Sequence, residues 1–328
     1  MNKNKTLKDV AAAAGVSKMT ASRALRRDKD VSEANIEKVR QAARDIGYIG
    51  NHLAASFANK RTDLIGVVVP AMTNVVFPQV LSGVSEALAG SGFQPVFGVT
   101  DYDDEKEYEI LRNMLSWRPA GLILTGLDQP ANTLKLLENT DIPIVQMMDS
   151  DGSPVDNCVG FSQTLAGRDM AMAILSSGRK RIGYIGKKDT RAAKRRSGFL
   201  SALADHGIGY HAERLFDGPS SVEMGRRLAE DLITTERNLD CIYFSNDDLA
   251  LGCLGFCLER GIDLPQTLTL VGFNGLELLN AFPGKIATSR TSRQEIGRTA
   301  AEIVLSSLEL RGQTDPKTVI IQPEICLA

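Results

Sequence analysis

Apolar positions change their period once along this chain. Through the first fifty residues they recur at helical spacing; from Leu64 onward they form short continuous runs separated by amphipathic stretches. In the first region Leu7, Val10, Ala11 and Ala14 share one helix face, with Thr6 as cap and Asp9 three residues on to return the bond. Gly15 stops that helix, because only glycine enters the left-handed conformation without steric cost. Val16 inserts next, and Ser17 caps a second helix. Two helices joined so tightly must approach closely, which the alanines permit. Ser32 caps a third helix, Glu33 to Ile46, with Ile36, Val39 and Ala43 inward, Gly47 as its stop, and Tyr48 and Ile49 folding back on the three-helix head.

The second region reads as an α/β body. Strands are predicted at Leu64–Pro70, Gln94–Thr100, Gly121–Thr125 and Ile144–Met148, with helices near Val76–Ala89, Glu105–Ser116 and Ala131–Asn139. A second series follows: strands at Arg181–Gly186, Leu215–Asp217, Cys241–Ser245 and Leu268–Phe273, and helices near Thr164–Ser177, Arg191–His206, Val222–Thr235 and Leu249–Arg260. Continuous apolar strands alternating with helices imply parallel sheets covered on both faces, and two series imply two doubly wound lobes. The last helix, Arg293–Leu310, and the strand Thr318–Gln322 are expected to return to the first lobe. The domains are expected at 1–50 (helical head), 51–62 (hinge) and 63–328, with lobe 1 about 63–162 plus 292–322 and lobe 2 about 163–291.

Charge sharpens this division. The whole chain carries −2, but residues 1–61 hold 13 Lys and Arg against 6 Asp and Glu, a net +7, leaving −9 for the remainder. A basic head on an acidic body suggests that the head meets a polyanion. Its first two helices have helix-turn-helix spacing, in which the N-terminal side chains of the second helix face base edges in the major groove. Lys18 and Met19 then stand at the leading edge, and the capping Ser17 is also a candidate DNA contact. Thr20, Ser22 and Arg23 lie one turn on, within reach of phosphates or a guanine, and Thr6 caps the supporting helix.

Residues Thr6–Leu25, with Val31-Ser32, Gly47-Tyr48-Ile49, Asn51, Leu64-Ile65-Gly66-Val67, Asn246-Asp247 and Val271-Gly272-Phe273, resemble the LacI/GalR family of bacterial transcription regulators along essentially the whole chain. Met114-Leu115-Ser116-Trp117, Gly121–Thr125 and Met148-Asp149-Ser150 look most like its gluconate repressor subgroup. The resemblance implies a periplasmic-binding-protein-like body whose chain crosses between lobes three times. It implies a homodimer on a near-palindromic double-stranded operator, controlled by a sugar-type effector. It also implies a hinge whose paired copies enter the minor groove and wedge a base step. Asn51, His52 and Phe57 belong to that hinge; Phe57 stands where the family usually has Leu, and Gly50 replaces the usual Pro.

Open parallel sheets bind ligands beyond the carboxyl ends of their strands, so the cleft between lobes is the expected effector site. Asp149, Asn246 and Asn274 follow strands and suit hydroxyl groups; Asp247 is expected to cap the next helix. Arg195, three residues before Gly198, falls where the family places an arginine on the ligand, with Arg191 or Lys194 assisting. A guanidinium there could grip a carboxylate with two bonds, which favours an anionic sugar such as gluconate over a neutral one. Asn74 and Phe77 sit at the family's cleft-facing loop, whereas Asp101 and Tyr102 read as an exposed acidic loop and Trp117 as packing at a helix end. Whether the effector releases the operator or promotes its binding is not written in the sequence; release is expected.

Other classes fare worse. A solute-binding protein of the same body fold is opposed by the basic head and by the missing apolar leader. No dinucleotide fingerprint, Walker loop, nucleophile elbow or zinc spacing is present, so no enzyme, cofactor or metal is expected. The five cysteines read as reduced core thiols, and the absence of a spanning apolar run points to a cytoplasmic protein without membrane contact. With no heptad-bearing tail after the last strand, a dimer is expected rather than a tetramer.

Overall fold

A computed structural model describes residues 5–25, 30–49, 61–72, 75–209, 211–310 and 315–327. The chain forms two compact units, residues 1–62 and 63–328. Gly50, Asn51, His52, Phe57 and Asn74 lie outside the described residues.

The first unit contains α1 (Leu7–Ala13), α2 (Lys18–Leu25) and α3 (Glu33–Asp45). The Asp9 carboxylate accepts both the Thr6 amide (2.8 Å) and its hydroxyl (2.9 Å), so this cap runs through the acid rather than the threonine oxygen. Gly15 has φ +61°, and the Ser17 hydroxyl accepts from the Thr20 amide at 3.0 Å. Val10, Ala11, Ala14, Ala21, Ala24, Ile36 and Val39 make one buried core, against which Tyr48 packs. Two expectations need correction. Ser32 stands at the α3 N-cap without a side-chain cap bond, and Ile49 is 87% exposed, so it does not fold back on the head.

The second unit holds β1 (Leu64–Val69), α4 (Val76–Leu88), β2 (Gln94–Val99), α5 (Asp104–Ser116), β3 (Gly121–Thr125), α6 (Ala131–Glu138), β4 (Ile144–Met147) and β5 (Asn157–Gly160). It continues with α7 (Gln163–Ser176), β6 (Ile182–Lys187), α8 (Thr190–Asp205), β7 (Ala212–Phe216), α9 (Val222–Thr235), β8 (Cys241–Phe244), α10 (Asp247–Glu259), β9 (Thr269–Asn274) and β10 (Ile286–Arg290), and ends with α11 (Arg293–Glu309), β11 (Thr318–Ile320) and β12 (Glu324–Cys326). The sheets have orders β11-β5-β4-β3-β1-β2 and β12-β10-β9-β8-β6-β7. Every pairing is parallel except β12 on β10. The chain thus passes between sheets after β5, after β10 and after β11, which is the three-crossing arrangement. The sequence does not announce β5, β10 or β12: β5 and β12 have only 4 and 3 residues, too few to show a period, and β10 carries the polar Thr288 and Ser289 inward.

Each sheet is covered on both faces, and the covering helices meet at paired glycines. A Cβ at Gly83 of α4 would lie 2.0 Å from the Gln294 carbonyl oxygen, and one at Gly297 of α11 2.0 Å from that of Val80. Gly167 of α7 and Gly198 of α8 are matched in the same way, each 1.9 Å from a carbonyl oxygen of the other helix (Arg195 and Thr164). Gly225 of α9 and Gly252 of α10 complete the set, against Leu249 and Val222. At these crossings the missing side chain brings backbone against backbone. The site depends on the second crossing, because α8 carries its arginines.

Candidate functional site

In the first unit, α2 turns one face outward. Ser17, Lys18, Met19 and Arg23 are exposed, Thr20 and Ser22 half-buried, and Ala21 and Ala24 hold the helix to the core. Met19 is 67% exposed, far more than an apolar side chain with a core role would be. Arg23 makes no ion pair with a described residue. The geometry leaves cationic, hydroxyl and thioether groups together on one accessible helix face.

In the second unit, loops after β1, β2, β3, β6, β8 and β9 line a cleft between the two sheets. It has an outer chamber of about 670 Å³ and an inner one of about 130 Å³, and Tyr102, Lys187 and Arg191 border both. The inner chamber is walled by Phe77, Met148, Phe161 and Phe273, with Arg195, Asn246, Asp248 and Asn274 as polar groups. Asp101, Asp103, Asp104, Glu107, Asp128 and Asp217 make the outer one acidic. Burial, then Asp104, pushes the Glu107 carboxyl up to about 7, and Arg191 opposes the shift. Asp101, Tyr102, Met148 and Asn274 all line the cleft with positive φ (54°, 61°, 71° and 115°). Backbone held this way by residues other than glycine marks places the surrounding structure over-determines.

Helix α8 positions the cations. Asp189 caps it by accepting from the Ala192 amide at 2.9 Å. The buried Arg195 gives one terminal nitrogen to the Gln163 side-chain oxygen and the other to the Ser245 carbonyl at 3.0 Å. Its guanidinium carbon lies over Phe273, 4.1 Å from the ring centroid. Gln163 in turn donates to the Met148 carbonyl at 2.7 Å, so Arg195 is linked to the first lobe through Gln163. Lys187 sits 3.4 Å over the Tyr102 ring and 4.0 Å from Asp189, and burial lowers its pKa.

Residues 62–327 match the family described as periplasmic binding proteins and sugar binding domain of LacI family, and residues 6–51 the bacterial regulatory proteins of the lacI family. The chain belongs to the LacI family. Among the relatives of this LacI-family regulator, the HTH-type transcriptional regulator GntR of Pseudomonas aeruginosa is 39% identical over 92% of the chain and 88% of its own length. GntR of Escherichia coli is 34% identical over 95% and 94%. A solved LacI-family transcriptional regulator from Silicibacter pomeroyi superposes with a TM-score of 0.93 at 43% identity, covering 98% of each chain. These relatives agree with the resemblance to the gluconate repressor subgroup, and they are transcriptional regulators rather than enzymes.

The LacI-family body places the sequence candidates unevenly. Phe77, Arg191, Arg195, Asn246 and Asn274 all border the inner chamber. Asp149 does not border either chamber. It is fully buried, its carboxylate taken by Lys194 at 2.8 Å and by the Asp151 amide at 3.0 Å. Lys194 also reaches Asp128 at 2.9 Å and the Asp151 carbonyl at 3.0 Å, joining α8 of one lobe to the β3 and β4 loops of the other. Burial disfavours its charge, but the bonds from Asp149 and Asp128 prevail and raise its pKa.

At the start of α10 the cap falls to a different residue, which also borders the chamber. Asn246, not Asp247, is the cap, accepting from the Leu249 amide at 3.2 Å. Asp247 is fully buried and accepts from the Leu276 amide and the Thr288 hydroxyl, both at 2.8 Å, while burial pushes its carboxyl up to about 6. Asp101 and Tyr102 are exposed, as read from the sequence, and also line the cleft. Trp117 does stand at a helix end, at the α5 C-cap, but is 46% exposed.

Sequence reading missed Gln163, Lys187, Phe273 and Asp248. Lys187 ends a strand and Phe273 precedes Asn274, so strand-end position could have signalled both; nothing local distinguishes Gln163. No helix of the described residues is long and apolar enough to cross a membrane.

Proposed function

We propose that this chain represses transcription as a homodimer on a near-palindromic operator, and that a sugar acid such as gluconate, bound in the cleft, releases it. The domains we assign are residues 1–50 for reading DNA, 51–62 as hinge and 63–328 for effector binding and dimerisation. Ser17, Lys18 and Met19 read base edges; Thr20, Ser22 and Arg23 hold the duplex; Thr6 supports them. In the hinge, Asn51, His52 and Phe57 enter the minor groove. Asn74 and Phe77 contribute to effector binding with Arg191, Arg195, Asn246 and Asn274. Asp149 acts on the effector only through Lys194.

The observation that carries this reading is the convergence of two guanidinium groups, Arg191 and Arg195, with Lys187, on a chamber whose other lining combines the amides Gln163, Asn246 and Asn274, aromatic rings and the carboxylates Asp189 and Asp248. Amides serve hydroxyls, rings cover the apolar face of a sugar chain, and a guanidinium suits a carboxylate. A neutral sugar is the second reading, favoured by the carboxylates around the outer chamber.

The DNA-reading half is tested by selecting duplexes from a random pool with the full chain, then measuring affinity for the winner against salt. Arg23→Ala should weaken binding and flatten the log–log salt slope by roughly 0.9 for each phosphate contact removed. An unaltered slope would exclude Arg23 from the phosphates.

A further inference from the structure

Helix α8 and the strand before it carry four cations between the lobes, Lys187, Arg191, Lys194 and Arg195, of which all but Lys194 line the cleft. Three of them are committed to the protein itself. Lys194 is tied to Asp149 and Asp128. Lys187 lies over Tyr102 beside Asp189. Arg195 is braced by Gln163, Ser245 and Phe273. Arg191 is different. It makes no hydrogen bond or salt bridge with a described residue, although the Glu107 carboxyl lies near enough to feel its charge, and the Phe77 ring centroid is 6.0 Å from its guanidinium carbon. It is half-buried and stands where the two chambers meet.

A guanidinium offers five donors in a fixed planar fork, and none is lost to deprotonation at any working pH. One held at the neck of a cavity, shielded from bulk water and facing Phe77, attracts an anion more strongly than one on the open surface. From Arg191, the inner chamber runs toward Asn246, Asp248 and Asn274, which offer both donors and acceptors to a row of hydroxyls. We infer that Arg191 is the residue that selects for the effector's carboxylate, while Arg195, which also lines the chamber, is already engaged by Gln163, Ser245 and Phe273 and so does not discriminate charge. The inference rests on the sugar-acid reading above and assigns the charge recognition within it. The polyol end of the effector then points to the amides, and its single negative charge stays at the neck.

The test is calorimetry on the full chain with D-gluconate and with its neutral amide, D-gluconamide, which keeps every hydroxyl. The wild type should prefer gluconate by roughly 30-fold, the range of a charge-assisted bidentate contact. In Arg191→Gln that preference should collapse to within about threefold, through loss of gluconate affinity while gluconamide binding changes little. A disturbed fold would lower both ligands together, so the ratio reports charge recognition alone. Should Arg191→Gln fail to fold, Arg191→Lys, which keeps the charge but loses the fork, should still show a reduced preference. A preference undiminished in the variant would overturn the assignment to Arg191 and leave the sugar-acid reading standing. Wild-type protein that binds no sugar acid would overturn both. Equal binding of gluconate and gluconamide by the wild type would show that the carboxylate is not read, and would overturn the inference.

Discussion

Gly167→Ala should lower the unfolding free energy of the body by about 3 kcal/mol, the upper range for overpacking, and weaken effector binding with it. The added methyl would lie 1.9 Å from the Arg195 carbonyl oxygen and 2.8 Å from its carbon. Both are backbone, so no side chain can swing aside. Either α7 and α8 separate or their shared core opens. That core contains Met170, Ala171, Phe199 and Ala202, all fully buried. Separation would also carry Arg191 and Arg195 away from Phe77 and Phe273. The control is Gly209→Ala, where a Cβ meets nothing within 4 Å and φ is not positive. It should stay within about 0.5 kcal/mol of wild type. Denaturant titration of the two variants makes the comparison; a Gly167→Ala cost no larger than the control would sink the reading of the crossing.

Lys194→Met should cost about 3 kcal/mol, because it strands a carboxylate that has no route to water. Asp149 is fully buried, and without the ammonium it retains only the Asp151 amide. Adding Asp149→Asn should recover at least half the loss, since the neutral amide carries a far smaller desolvation penalty. A double-mutant cycle with those variants measures the coupling. The cycle reports on the relation between lobes as well as on stability, because Lys194 and its partners sit on opposite sides of the cleft. Independent, additive effects of the two substitutions would mean that the clasp does not form in solution.

How the chain reveals its fold follows from what each signal depends on. Apolar runs such as Ile65–Val69 and Cys241–Phe244 are buried strand segments, and their continuity alone marks them as parallel and covered on both faces. The helix-turn-helix was legible because Gly15 and the alanines act through local geometry. The short strand Asn157–Gly160 has no period to detect, and the polar middle of Ile286–Arg290 disguises a strand whose Thr288 is satisfied by Asp247. Gly167 and Gly198 look like weak points of helices when read singly, since glycine disfavours a helix interior; only their pairing across two helices explains them.

The site was legible by position and illegible by partnership. Strand-end residues Asn246 and Asn274 border the chamber, as their location after apolar runs suggested. Asp149 shares that location, yet Lys194 claims it, and a contact between residues 45 apart leaves no local trace. For the same reason Arg195 and Arg191 look alike in sequence. Only the structure shows one braced by Gln163 and Ser245, and the other without such a brace among the described residues.

The most direct test titrates D-gluconate into the full chain bound to its selected operator, reading the operator dissociation constant by fluorescence anisotropy. Saturating gluconate should weaken the complex by at least roughly tenfold, equivalent to about 1.4 kcal/mol of coupling, and operator should weaken gluconate binding by the same factor. An operator affinity unmoved by gluconate, at concentrations calorimetry shows to be saturating, would contradict a cleft that governs the reading head.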